Sequence, residues 1–229
     1  MLYSLPDIKK LIILSPHPDD EALGCSGTMA LLNKHGIIPK IIYITRGERL
    51  YGEPSEELAN IRVAEARRAC QVLRCGEPLF LNFPDGEVNK YREEIYNRIK
   101  EVIDREDPDI LLSPSIIDYH QDHIATAKVS ISLLNELRSF RLAFYEVYET
   151  ISFSHLVDIS EVIKEKEEAI LNYRRSLYDR PEVYVHASLG LNAQRSIFTQ
   201  KKGYFEAFLI IDAPVDTEGI YDRLLYKVR

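Results

Sequence analysis

The chain has 229 residues, 45% of them hydrophobic and 28% charged, with a formal net charge of −7. That length and composition build one substantial core and exclude a disordered chain. The acidic balance argues against nucleic acid or an anionic membrane as a partner, since both are bound through basic surfaces. Cys25, Cys70 and Cys75 form no C-x-x-C pair, which points to reduced thiols and a cytoplasmic setting. The opening MLYSLPDIKK has no signal-peptide core, and no apolar run reaches the ~20 residues of a membrane span. Repeats and low-complexity linkers are absent from the sequence.

Short apolar runs alternate with longer amphipathic ones. Leu11–Ser15 reads as a first strand, followed by a helix over about Glu21–His35 that Gly36 ends. PKIIYIT is the second strand. Ser55 starts a long helix, SEELANIRVAEARRACQVL, with Leu58, Ile61, Ala66, Ala69, Val72 and Leu73 as its buried stripe. PLFLNF is a third strand and NKYREEIYNRIKEVIDRE a third helix, with Tyr91, Ile95, Ile99 and Val102 on one face. DILLSPS is a fourth strand, DHIATAKVSISLLNELR a fourth helix and RLAFYEVY a fifth strand. Such alternation predicts an α/β fold, a Rossmann-like, mostly parallel sheet with helices on both faces. After Thr150 the rhythm breaks. Helices are expected near Ser160–Ser176 and Ala187–Lys201, and YFEAFLII reads equally as strand or helix. The chain is expected to be a single domain, 1–150 forming the core and 151–229 a C-terminal extension packed on it.

Two polar clusters stand out. LIILSPHPDDEALGCSGTMALL, Leu11 to Leu32, packs a histidine, two aspartates and a glutamate into five residues where a strand ends. Helix capping accounts for one or two of the acids. It does not account for His17, nor for carboxylates crowded at the end of a buried strand, which resist burial unless paired or bound to a cation. The second cluster, DYHQDH from Asp118 to His123, follows the fourth strand. In a doubly wound sheet, strands one and four are neighbours at the point where strand order reverses, and ligands bind there. Three of the six histidines and four aspartates therefore fall in two loops expected to meet, and core packing asks for nothing of the kind.

His17 and Asp20 lie three apart on a tight turn and can converge on one point; one histidine of the second pair would complete three ligands. Two imidazoles, a carboxylate and an open position make a catalytic zinc site rather than a closed structural one, and the same donors suit other divalent metals such as Fe2+. Asp19 is placed to take a proton from a metal-activated water, and His120 to stabilise an oxyanion or give a proton to a leaving group. Asp122 either orients an imidazole or serves as a helix N-terminal charge.

PHPDDEALGCSGT and HQDH resemble the paired motifs of the LmbE-like, or PIG-L, family of zinc-dependent N-acetylglucosaminyl deacetylases. ITRGE resembles the family's turn after strand two, ANIRVAEARRACQVL its second helix, FPDGEV its loop after strand three and YFEAF a late element, so the likeness runs to about Phe208. The resemblance implies that His17, Asp20 and His123 bind one Zn2+ per chain, that Asp19 is the general base, and that His120 stabilises the oxyanion and protonates the departing amine with support from Asp122. Ser26, Arg46, Gln121 and Tyr173 depart from common family residues. None is a proposed ligand, so they bear on substrate rather than chemistry.

Arg46, close to the end of strand two, is expected to bind substrate, and Arg49 to be solvated. A Pro–Asp–Gly turn accounts for Asp85. Tyr119, beside His120, is the tyrosine expected at the substrate. Cys25 reads as a small buried residue and Arg174 and Arg175 as helix C-terminal charges. The expected function is removal of acetyl from an N-acetylated amino sugar, a small-molecule substrate, by a cytoplasmic enzyme that is free to form a homo-oligomer. The alternatives are a metallophosphoesterase, which needs more bridging ligands than three, and a non-catalytic metal-binding protein, which has no use for Asp19 and His120.

Overall fold

The computed structural model describes residues 8–225; residues 1–7, which hold most of the stretch read as lacking a signal-peptide core, and 226–229 lie outside it. Seven strands form one sheet: β1 (Leu11–Ser15), β2 (Lys40–Tyr43), β3 (Leu79–Phe80), β4 (Ile110–Pro114), β5 (Arg141–Tyr145), β6 (His155–Asp158) and β7 (Phe205–Ile211). Their order is β3-β2-β1-β4-β5-β7-β6. The first five run parallel, whereas β7 is antiparallel to both β5 and β6.

The helices are α1 (Asp20–Lys34), α2 (Glu56–Val72), α3 (Arg92–Glu106), α4 (Gln121–Leu137), α5 (Ile163–Leu171), α6 (Pro181–Gln194), the single turn α7 (Ser196–Thr199) and α8 (Thr217–Leu225). No helix among the described residues is long and apolar enough to cross a membrane. Side chains of β1 alternate between two cores, as a strand covered on both faces requires. Leu11 and Ile13 pack with Ala22 and Met29 of α1 and Ala66 of α2; Ile12 and Leu14 pack with Ile95 and Ile99 of α3 and Val129 and Leu133 of α4. β1 pairs directly with β4, so the loop entering α1 on one face meets the loop entering α4 on the other.

The expected strands and helices up to Tyr145 are all present, with β3 reduced to two residues. Ser55 caps α2, its hydroxyl accepting from the Leu58 N–H at 3.2 Å. The buried stripe of α2 differs from the one expected. Ile61 is only half-buried, while Arg62 and Glu65 are 2% and 1% exposed, because they serve polar partners rather than apolar ones. Beyond Thr150, YFEAFLII is a strand. The helix expected at Ser160–Ser176 ends at Leu171 in turns, and the one expected from Ala187 starts at Pro181, where proline suits a first helical turn. β6 and α8 carry too short or too mixed a pattern to be foreseen.

A buried ion pair ties three elements together. Lys166 Nζ of α5 lies 2.7 Å from Glu206 Oε1 of β7 and donates to the Leu23 carbonyl of α1 at 2.9 Å. Glu206 also accepts from the Gly27 and Thr28 N–H groups at 2.9 and 2.7 Å. Removing one partner of a buried pair strands the other charge. Lys166→Met should therefore lower unfolding free energy by ~3–5 kcal/mol in urea denaturation, and adding Glu206→Gln should recover part of the loss.

Candidate metal centre and cleft

The end of β1 and the start of α1 are built to carry charge inward. His17, Asp19, Asp20 and Glu21 are all buried. Asp19 is held at φ 128°, ψ −28°, outside the regions that side chains favour, and its carboxylate makes no helix cap. Asp20 Oδ2 instead accepts from the His17 N–H at 2.9 Å, closing the turn. That oxygen also sits between two imidazoles, 3.3 Å from His17 Nδ1 and 3.2 Å from His123 Nε2. The loops from β1 and β4 thus bring His17, Asp20 and His123 together. His120 joins them, its ring centroid 4.7 Å from that of His17 and 4.9 Å from that of His123.

Carboxylates surround this group. Asp118 Oδ2 lies 3.2 Å from His123 Nδ1, and its Oδ1 accepts from the His120 N–H at 3.0 Å. His17 Nε2 lies 3.0 Å from Asp85 Oδ1 and 3.3 Å from Asp122 Oδ2. Asp122 therefore faces His17, and its carboxylate also accepts from the Gly86 and Val88 N–H groups at 2.7 and 3.2 Å. His120 is met by the backbone of Asp122 instead: the Asp122 N–H donates to His120 Nδ1 at 3.2 Å, which leaves Nε2 as the protonated nitrogen of the neutral ring.

The electrostatics follow from burial without enough fixed cations. Burial pushes the Asp19 carboxyl well above its usual range, against the pull of Arg62. Burial acts the same way on Asp20, but the charge of His123 and hydrogen bonds from both imidazoles hold it well below that range. For His123 burial favours the neutral ring, yet Asp20 and Asp118 prevail and push it up to about 9. His120 goes the other way, lowered by burial and by the neighbouring His17 and His123.

These residues fit a divalent cation. Asp20 Oδ1 is buried without a hydrogen-bond partner, and the two ring nitrogens of His123, each 3.2 Å from a carboxylate, meet it outside hydrogen-bond geometry, a costly state that a coordinated ion relieves. Ligand atoms of His17, His120 and His123, and likewise of His17, Asp85 and Asp122, come within 4.8 Å of one another. Thiolates are absent from the group, so the donor set is imidazole and carboxylate.

Arg62 of α2 spans the site from behind. It donates to Asp19 Oδ2 at 3.2 Å, the Pro18 carbonyl at 2.9 Å, the Gly47 carbonyl at 2.9 Å and Ser176 Oγ at 3.1 Å. Gly47 has φ 66°, and a Cβ there would sit 2.1 Å from the guanidinium, so only glycine admits the arginine. Glu65, one turn on, accepts from the Arg175 and Ser176 N–H groups at 2.7 and 3.0 Å. Arg62 and Glu65 were missed as site residues, although positions 58, 62, 65, 66 and 69 trace one helical face.

The cleft above the group has a volume of about 250 Å3. His17, Asp19, His120 and Tyr119 line it, together with Arg49 and Asp85. Arg46 does not. It forms a two-pronged pair with Glu56 in the first turn of α2, both contacts 2.7 Å, a better partner than the solvent at the cleft mouth. Asp85 occupies its expected turn, but its carboxylate is buried against His17 and accepts from the Arg49 N–H at 2.9 Å. Only the crowding of acids in the neighbouring loops could have signalled this second role.

The profile of the PIG-L family, GlcNAc-PI de-N-acetylase, matches residues 12–134. A diacetylchitobiose deacetylase from Thermococcus kodakarensis is 33% identical over 184 residues, 72% of this chain and 68% of the relative. The crystal structure of the conserved protein TT1542 from Thermus thermophilus superposes with a TM-score of 0.77 at 26% identity, covering 92% of this chain and 98% of that one. An N,N'-diacetylchitobiose deacetylase from Pyrococcus horikoshii shares the fold at a TM-score of 0.73 and 22% identity, covering 90% and 85%.

Arg62→Met should leave Asp19 unpaired beside Asp20 and cost ~3–5 kcal/mol in chemical denaturation. Arg62→Lys should restore only part of this, because an ammonium cannot reproduce the planar fork that reaches four acceptors.

Proposed function

The chain belongs to the PIG-L family of de-N-acetylases, and from that membership and the cleft we propose that it hydrolyses the acetamide of an N-acetylated amino sugar, releasing acetate and the free amine. The observation that carries this reading is the convergence of His17, Asp20 and His123, with Asp19 and His120 lining the same cleft. His17, Asp20 and His123 are the proposed ligands of one divalent metal, Zn2+ by donor type, with Fe2+ suited to the same donors. Bound there, such a cation supplies Lewis acidity and an ionised water near neutral pH.

The remaining steps fall to the chain's own residues. Asp118 supports His123 through Nδ1, and Asp85 and Asp122 take the far nitrogen of His17, as carboxylates beside metal-bound histidines do. Asp19 takes a proton from the attacking water as the carbon–oxygen bond forms; burial gives it the affinity for that proton. Arg62 fixes which way the Asp19 carboxylate faces. His120 donates from Nε2 to the carbonyl oxygen as negative charge builds there. As the carbon–nitrogen bond breaks, His120 gives its Nε2 proton to the amine nitrogen and takes back at Nε2 the proton that Asp19 removed from the water, so the ring ends neutral. Tyr119, 67% exposed at the rim, is placed to meet the sugar rather than the amide. Arg46, engaged by Glu56, takes no part in this scheme.

Free amine and acetate should appear when the zinc-loaded protein is given N-acetylglucosaminides, and disappear after chelation. In metal analysis, His17→Ala and His123→Ala should fall far below the parent's metal content of about one ion per chain. Asp19→Asn should retain the metal and lose ~10²–10⁴-fold in kcat. Full metal in both histidine variants would overturn the ligand set, and near-normal turnover by Asp19→Asn would remove it as the base.

A further inference from the structure

A second cavity, of about 770 Å3, opens where the loop after β5 meets the C-terminal elements. Thr150, Ile151, Ser152, Phe153 and Ser154 of that loop line it, with Leu209 of β7, Arg195 and Phe198 from the end of α6 and α7, and Arg223 and Leu224 of α8. It shares no lining residue with the metal cleft. Its size is that of a site for a small organic molecule.

Charge sets the cavity apart from the rest of the protein. The chain has a net charge of −7, yet this lining holds two arginines and no carboxylate. Arg195 is 5% exposed. Its Nη2 donates to Glu146 Oε1, an oxygen that also accepts from the Ile151 N–H at 2.9 Å. Its Nε is buried without a partner, a costly state that an acceptor seated against the guanidinium relieves. The Arg195 Cζ lies 4.9 Å from the centroid of the Phe153 ring, so the guanidinium is packed on an aromatic face. Arg223 donates from Nη2 to the Ile210 carbonyl at 3.2 Å and makes no ion pair among the described residues. Glu146 matches one of the two guanidinium charges. One positive charge is left over, the complement of a single negative charge on a ligand.

The remainder of the lining is apolar. The rings of Phe153 and Phe198 meet edge to face at 5.0 Å and 81°, and Ile151, Leu209 and Leu224 share the cavity with them. A neutral sugar would leave the arginines unanswered. A phosphate ester brings close to two negative charges against one unmatched positive charge and makes no use of the phenylalanines. A carboxylate is flat, carries one charge and suits the fork of an arginine; an apolar chain attached to it suits the rings.

We propose that this cavity is a second binding site, for a monocarboxylate that carries an apolar chain. The carboxylate meets Arg195 and Arg223, and the chain lies against Phe153, Phe198 and Leu224. The site is independent of the deacetylase reading.

Calorimetry on the zinc-loaded protein tests it with hexanoate, acetate and 1-hexanol. Hexanoate should bind at least tenfold more tightly than acetate, which lacks the chain, and than 1-hexanol, which lacks the charge. Arg223→Gln, at a half-buried position, should weaken hexanoate by about tenfold, and Phe198→Ala, at an exposed one, by several-fold. Arg195→Lys keeps a cation for Glu146 but loses the fork, and should weaken it as Arg223→Gln does; should that variant fail to fold, Arg223→Gln decides. Hexanoate binding should also persist after the metal is chelated. Equal binding of the three compounds, or tight binding that survives any one of these substitutions unchanged, would overturn the site. Loss of binding on chelation would overturn it as well, since the carboxylate would then have been on the metal.

Discussion

The arrangement turns on one buried guanidinium. Without Arg62, Asp19 would sit in the core beside Asp20 with no fixed positive partner, and two adjacent carboxylates so placed repel and take up protons. With it, the rise in proton affinity that burial gives Asp19 is opposed and the carboxylate is aimed, and three further segments are drawn to the same point: the backbone before Asp19, the turn at Gly47 and the loop at Ser176. The strained backbone of Asp19 persists because the surroundings over-determine it. Elsewhere the same economy recurs. Glu48 accepts from the Asp85 N–H at 2.9 Å, and Gln121 donates to the Gly86 carbonyl at 2.8 Å, so the loop carrying Asp85 is pinned from two sides.

Much of this was legible beforehand, for identifiable reasons. The parallel strands are fully buried and read as apolar runs, and the reversal of strand order at β1 and β4 follows from the doubly wound pattern, so the meeting of HPDDE with DYHQDH could be foreseen. What escaped was set by tertiary partners. Arg62 and Glu65 are charged residues on a buried face, and charge on its own suggests solvent. Asp85 lies in a turn whose sequence explains itself. Arg46 was drawn off by Glu56, ten residues along, a local pairing that a view of the strand end alone does not reveal.

The region after Thr150 was least legible because its elements are short and mixed. β7 carries a glutamate near its start, which weakens a strand signal, yet all seven of its residues are buried. The glutamate belongs there because Lys166 and two N–H groups of α1 meet it. The helices that β7 stabilises in this way also frame the cleft: α1 bears the proposed ligand Asp20, and α5 leads into the loop whose Tyr178 lines it.

The place of β7 in the sheet sets an order of events in synthesis. It is interior, between β5 and β6, although it comes after both in the chain. Until residues 205–211 have left the ribosome, β5 is an open edge with Phe144 and Tyr145 beside unpaired backbone groups, and the Gly27 and Thr28 N–H groups lack their glutamate. Such an edge pairs readily with another chain. The nascent protein therefore passes through a stage in which all the residues proposed for metal binding and proton transfer are made but its sheet is unsealed, and sealing comes from the last of the described strands to emerge.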